Sequence, residues 1–150
     1  MQVISYDKKF RDAFKALNIA WIDKYFKVEE KDLEQLSQPE KCITEGGEIF
    51  FVVDREEAVG TSAMYNLGNG SYELAKMAVR PDHQGKGLSN LLMEACEKWA
   101  RAKQAREIVI VSNTSLTPAI TLYKKFGYKV TRLGQDPIYQ RGDIELRKEL

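Results

Sequence analysis

A chain of 150 residues with 43% hydrophobic content is of the size that builds one compact domain around a substantial core. Its 23 Lys and Arg nearly cancel 22 Asp and Glu, which excludes the broad positive field of a dedicated nucleic-acid binder. The opening residues lack the basic, apolar and small-residue regions of a secretory signal, and no apolar run reaches membrane-spanning length. The expectation is therefore a cytoplasmic protein with neither nucleic acid nor membrane as partner.

Residues 3–6 read as a short strand, after which Asp7 caps a helix whose apolar residues Phe10, Phe14, Leu17 and Trp21 recur near helical spacing. A second, charged helix is predicted over 28–36, and Pro39 marks a break before the Gly46-Gly47 turn. From Glu48 the pattern becomes extended. Residues 49–53 are a continuous apolar run, 54–57 an acidic turn, and 58–66 a second strand, which together predict an antiparallel hairpin. Gly68-Asn69-Gly70 tolerates positive φ, so the chain turns again into a third strand over 71–79.

A loop over 80–87 leads into a helix whose Leu88, Leu91, Leu92, Ala95, Cys96 and Trp99 form one apolar stripe. Ile108-Val109-Ile110-Val111 reads as a strand buried on both faces, and a strand-helix-strand crossover of this kind implies parallel pairing. Thr117 is expected to cap the next helix, with Pro118 in its first turn and Gly127 ending it; residues 128–133 and 143–150 complete the pattern as two antiparallel strands. Cys42 and Cys96 lie far apart, outside any CxxC pair, so no metal site is expected and Cys96 reads as a small buried hydrophobe.

The chemistry concentrates in residues 74–89, where a strand passes through a glycine loop into a helix. Unpaired N–H groups and the helix dipole at such a junction attract an anion, and Gly85 and Gly87 remove side chains that would hold a phosphate away. Glycines also serve ordinary turns and close packing. The spacing fits neither the G-x-G-x-x-G dinucleotide fingerprint nor a P-loop, because Gly85-Lys86-Gly87 lacks the Gly-Lys-Ser/Thr ending.

Residues 77–89 resemble motif A of the GNAT acetyltransferases, Q/R-x-x-G-x-G/A, with Gln84, Gly87 and Ser89 at its three defining positions. Ser89 departs from the usual Gly or Ala but is still small. Ser112-Asn113, followed by residues 118–127 and Tyr128, is similar to the family's motif B. The likeness covers roughly residues 48–133.

This resemblance implies a mixed α/β fold: a mostly antiparallel, splayed central sheet with helices on both faces. It implies acetyl-CoA as co-substrate, without metal. Met77, Ala78 and Val79 would meet pantetheine on the strand, and Gln84, Gly85, Lys86, Gly87, Leu88 and Ser89 the pyrophosphate. Asn113 would hold the coenzyme or a water. By the same resemblance, Tyr123 would protonate the departing thiolate, and Glu73 stands at the offset of a base that deprotonates the acceptor amine. A water chain is the alternative base.

Trp21, Lys24, Tyr25 and Phe26 form an aromatic and basic cluster, and Tyr139, Arg141 and Asp143 add polar groups near the last strand. Trp21, Tyr25 and Arg141 are the candidate acceptor contacts, although aromatics at such spacing commonly serve a core. The expected activity is acetyl transfer to a primary amine of a small molecule within a ternary complex. The alternatives are an acyl-CoA sensor without turnover, acetylation of a protein amine, or an unrelated phosphate binder. A homodimer is compatible with this scaffold.

Overall fold

The alternation of buried residues along residues 49–53 explains why the longest apolar run in the chain forms a strand and not a helix. Ile49 and Phe51 enter one core cluster while Phe50 and Val52 enter the other, as the period of two requires. The computed structural model describes residues Met1–Leu150. Its strands are β1 (Gln2–Ser5), β2 (Glu48–Asp54), β3 (Glu57–Gly68), β4 (Ser71–Val79), β5 (Glu107–Ser112), β6 (Lys129–Leu133) and β7 (Ile144–Glu149). The helices are α1 (Arg11–Tyr25), α2 (Glu30–Ser37), α3 (Pro39–Thr44), α4 (Leu88–Ala102) and α5 (Thr117–Lys125). One seven-stranded sheet runs in the order β1-β2-β3-β4-β5-β7-β6, antiparallel except between β4 and β5.

Helices cover both faces. On one, Leu92, Met93, Cys96 and Ala100 of α4 pack against Val52, Met64, Leu74 and Ile108. On the other, Phe14 and Ile22 of α1 and Leu36 of α2 pack against Ile49, Phe51 and Ala63. No helix is long and apolar enough to cross a membrane.

The β2–β3 and β3–β4 hairpins close as two-residue turns with positive φ at both central positions. Asn69 (φ 54) and Gly70 (φ 77) join β3 to β4 and suit that geometry, whereas Arg55 (φ 51) and Glu56 (φ 67) adopt it between β2 and β3 without the usual residues. Three local expectations need correction. Pro39 does not simply break the chain: it stands in the first turn of α3, where its missing N–H costs nothing. Asp7 caps a 3-10 turn over Lys8–Phe10, and α1 begins only at Arg11. Thr117 is the first residue of α5 and supplies no side-chain cap, since Leu116 occupies the cap position.

Two irregularities of β4 open the sheet at its centre. The strand pairs with β5 only through Ser71↔Glu107, Tyr72↔Ile108 and Glu73↔Val109, while β5 pairs with β7 along its full length. Beyond Glu73 the two parallel strands therefore part. Between Thr61↔Ala78 and Ala63↔Ala75, Lys76 and Met77 stand opposite Ser62 alone, a β-bulge in which Lys76 takes φ 55.

Candidate active site

The loop from β4 to α4 leaves open space at its two glycines. Gly85 (φ 78) and Gly87 (φ 80) are left-handed, and a Cβ built on either would meet nothing within 4 Å. Their glycine character answers to backbone conformation and open space, not to packing. Gly87 is the N-cap of α4 without a side-chain cap, so the first amides of that helix are free for an outside acceptor. Gln84 and Lys86 are exposed, and the Gln84 amide donates to the Val79 carbonyl at 3.3 Å, tying the loop to the strand end. Leu88 is buried and anchors the helix start, while Ser89 after it is half-buried.

The gap between β4 and β5 is a narrow cleft with a free volume of about 100 Å³. Glu73, Met77, Asn113, Tyr123, Trp21 and Arg141 all line it. Tyr123 is buried, and burial pushes its phenol up to about 12, against the opposing pull of the Ser112 side chain. Such a phenol keeps its proton at neutral pH. Glu73 is half-buried, and burial raises its carboxyl above the ordinary range while Lys76 and Lys31 oppose. Asn113 donates to the Arg141 carbonyl at 2.7 Å and accepts from the Ser115 N–H at 2.8 Å, which ties the end of β5 to the loop before β7.

Above the bulge stands a buried ionic cluster. Asp32, at the third position of α2, accepts from Lys76 Nζ at 2.7 Å, from the two terminal nitrogens of Arg141 at 2.6 and 2.7 Å, and from the Glu29 N–H at 2.9 Å. Burial alone would raise its carboxyl, but Arg141 and Lys76 outweigh that and hold it at about 2. Arg141 also reaches Glu29 at 3.1 Å, and Lys76 and Arg141 lie 4.9 and 4.8 Å from the Tyr139 ring centre. Three separate segments, α2, the β4 bulge and the 139–142 loop, are thus joined at one carboxylate. A single Lys inside the apolar stretch Leu74-Ala75-Lys76-Met77 was its signal in the sequence; the expected site residues omitted both Lys76 and Asp32.

Most of the expected site residues fall into two neighbouring groups. One is the set that lines the cleft; the other, Gln84 to Ser89, forms the glycine loop at the end of β4. Val79 and Gln84 lie on a separate shallow groove along α1, which Trp21 also borders, and Ala78 is buried in β4. Tyr25 stands apart: it is 44% exposed, packs its ring at a tilt against Trp21 with centres 5.2 Å apart, and does not line the cleft. His83 and Cys96 do not meet. His83 lies between Asp82 and Asp54 at 2.8 and 2.9 Å, whereas Cys96 is buried beside Ser62 with its thiol pushed up to about 12 by burial.

The model of the Acetyltransferase (GNAT) family matches residues 13–128. A streptothricin acetyltransferase of Escherichia coli is 32% identical over 73 residues, 49% of this chain and 42% of that protein, so the chain spans less than half of that relative. Among solved structures, a GNAT-family acetyltransferase from Staphylococcus aureus has a TM-score of 0.89 at 16% identity, covering 99% of this chain and 98% of that one. The structure of yncA from Salmonella typhimurium, solved with its cofactor acetyl-CoA, has a TM-score of 0.80 at 20% identity over 100% and 94% of the two chains. With the family match spanning the glycine loop, the divided strands and the helix that carries Tyr123, this chain belongs to the GNAT acetyltransferase family.

Proposed function

We propose that this chain is an acetyl-CoA-dependent N-acetyltransferase that acts on the primary amine of a small molecule by direct attack in a ternary complex. The observation that carries the reading is the parting of β4 from β5 beyond Glu73↔Val109, next to a glycine loop whose surface is open. Strand edges left without partners must find hydrogen bonds elsewhere, and a pantetheine arm offers amides and carbonyls at the right spacing. The free amides of α4 suit a diphosphate. Together these fit acetyl-CoA, which supplies an activated acyl thioester.

Each group then has one task. Glu73 takes the proton that converts the acceptor ammonium to a nucleophilic amine. A backbone N–H at the bulge would stabilise charge on the acyl oxygen as the C–N bond forms and the C–S bond breaks. Tyr123 protonates the departing sulfur, and the second proton leaving nitrogen restores the phenol. The products are an amide and a free thiol, and Glu73 releases its proton to solvent.

Thiol release from acetyl-CoA, monitored across a panel of primary amines, tests the proposal. Amine-dependent release accompanied by the acetylated amine is expected. Tight coenzyme A binding with no release for any amine would leave a sensor in its place.

A further inference from the structure

Resting on that reading, we infer that the body of the acceptor occupies a second, polar chamber reached past Glu73, and that the acceptor is a hydrophilic amine carrying a further cationic group and a hydroxyl or carbonyl oxygen. Glu73 lines both spaces. The cleft between β4 and β5 has about 100 Å³ free, room for a reacting thioester and amine but for little more, whereas the chamber offers about 560 Å³. It lies between α2, α3 and the β3–β4 hairpin, and its lining is mostly polar. On the opposite side, the Asp32, Lys76 and Arg141 cluster shares a wall with the cleft and is already internally paired.

The chemistry of the lining points to the ligand. Glu34, Glu45 and Glu73 set three carboxylates against the ammonium groups of Lys31 and Lys41, and Lys41 is engaged by Glu45 at 4.0 Å. Glu34 and Gln38 are exposed on the chamber side with no side-chain partner in the protein. A carboxylate and an amide in this state are available to a cation and to a hydroxyl. Tyr65, directly across from Glu73 in the β3–β4 register, walls the chamber, and its buried hydroxyl has no hydrogen-bond partner. That hydroxyl is closed to solvent, so a guest oxygen pairs with this unsatisfied donor only once the ring shifts toward the chamber.

The test compares diaminopropanol, a hydroxylated diamine, with butylamine as acceptors for the wild type, Glu34→Lys and Gln38→Leu, alongside the affinity of each variant for coenzyme A. Both substitutions are at exposed positions, so folding should persist. The wild type should prefer diaminopropanol. Glu34→Lys should raise its KM by about three- to tenfold while coenzyme A affinity stays put. Gln38→Leu should erode the same preference. Equal or reversed preference in the wild type, or an unchanged KM in both variants, overturns the inference. Should the wild type bind coenzyme A but release no thiol with any amine, the transfer reading falls. The chamber is then judged by calorimetric titration of diaminopropanol into the coenzyme A-loaded protein: weaker binding in Glu34→Lys supports it, and absent or equal binding overturns it.

Discussion

Lys76 Nζ lies 2.7 Å from Asp32 Oδ1, with side-chain exposures of only 3% and 0%, and Lys76 holds its position through a left-handed backbone at φ 55. A buried ion pair is weak support for stability by itself, because desolvation offsets most of its attraction. Removing one partner is another matter. Asp32→Asn leaves the Lys76 ammonium and the Arg141 guanidinium facing each other without their shared anion, and should cost about 3–5 kcal/mol in denaturant unfolding. Lys76→Met, which leaves Asp32 with Arg141 and the Glu29 amide, should cost about 1–2 kcal/mol. Equal losses in the two variants would show that Asp32 is not the centre of the cluster.

The same carboxylate sets an acid limit. Its pKa is lowered in the folded protein from 3.8 to about 2, so the unfolded chain binds more protons between those values and folding stability falls as pH drops. The contribution is fully present above the unfolded value and is worth on the order of 2 kcal/mol there. Urea midpoints measured from pH 5 downward should decline more steeply in the wild type than in Asp32→Asn.

Tyr123→Phe removes the proton donor and keeps the ring. Because burial raises its pKa, the phenol enters the cycle as an acid, and its loss should lower kcat by about a hundredfold or more. Coenzyme A affinity should change little by comparison. Unchanged turnover would leave Tyr123 as a packed side chain against Tyr128, whose ring centre is 6.4 Å away.

The range of each interaction decides whether the sequence reveals or conceals it. Asn69-Gly70 announces its turn because positive φ is a property of those residues alone. Arg55 and Glu56 take the same conformation only because the strands on either side are already paired, which no local pattern records. The glycine loop was legible for the first reason. The parting of β4 from β5 is the end of a ladder between segments over thirty residues apart, with Glu73↔Val109 as its last pair, and was reached through resemblance. The cluster at Asp32 joins residues 29, 32, 76 and 141, and the charge pattern of a helix does not record which of its carboxylates distant partners will bury.

Gly87→Val separates coenzyme binding from folding. A Cβ there meets no protein atom within 4 Å, so the cost is backbone strain at φ 80 together with a branched side chain standing where a phosphate would rest. Strain of this kind amounts to about 1–2 kcal/mol, which a domain of this size tolerates. Circular dichroism should therefore report a folded protein while calorimetry finds no coenzyme A binding. Retained affinity would move the phosphates away from the start of α4.

Glu73 gives the sharpest pH signature. Its carboxyl is raised above the ordinary glutamate range by burial, so it is protonated, and unable to accept the amine proton, over a wider stretch of mildly acidic pH than an exposed glutamate. Activity should fall as pH drops through that raised value. The acceptor ammonium adds its own limb at higher pH, so the comparison must use one amine with both proteins. In Glu73→Gln, kcat/KM should fall by about a hundredfold near neutrality and the acidic limb should vanish, while the limb belonging to the amine persists. If instead the acidic limb stays where it was, the proton leaves through a chain of waters, and Glu73 serves only as the partition between the cleft and the chamber behind it.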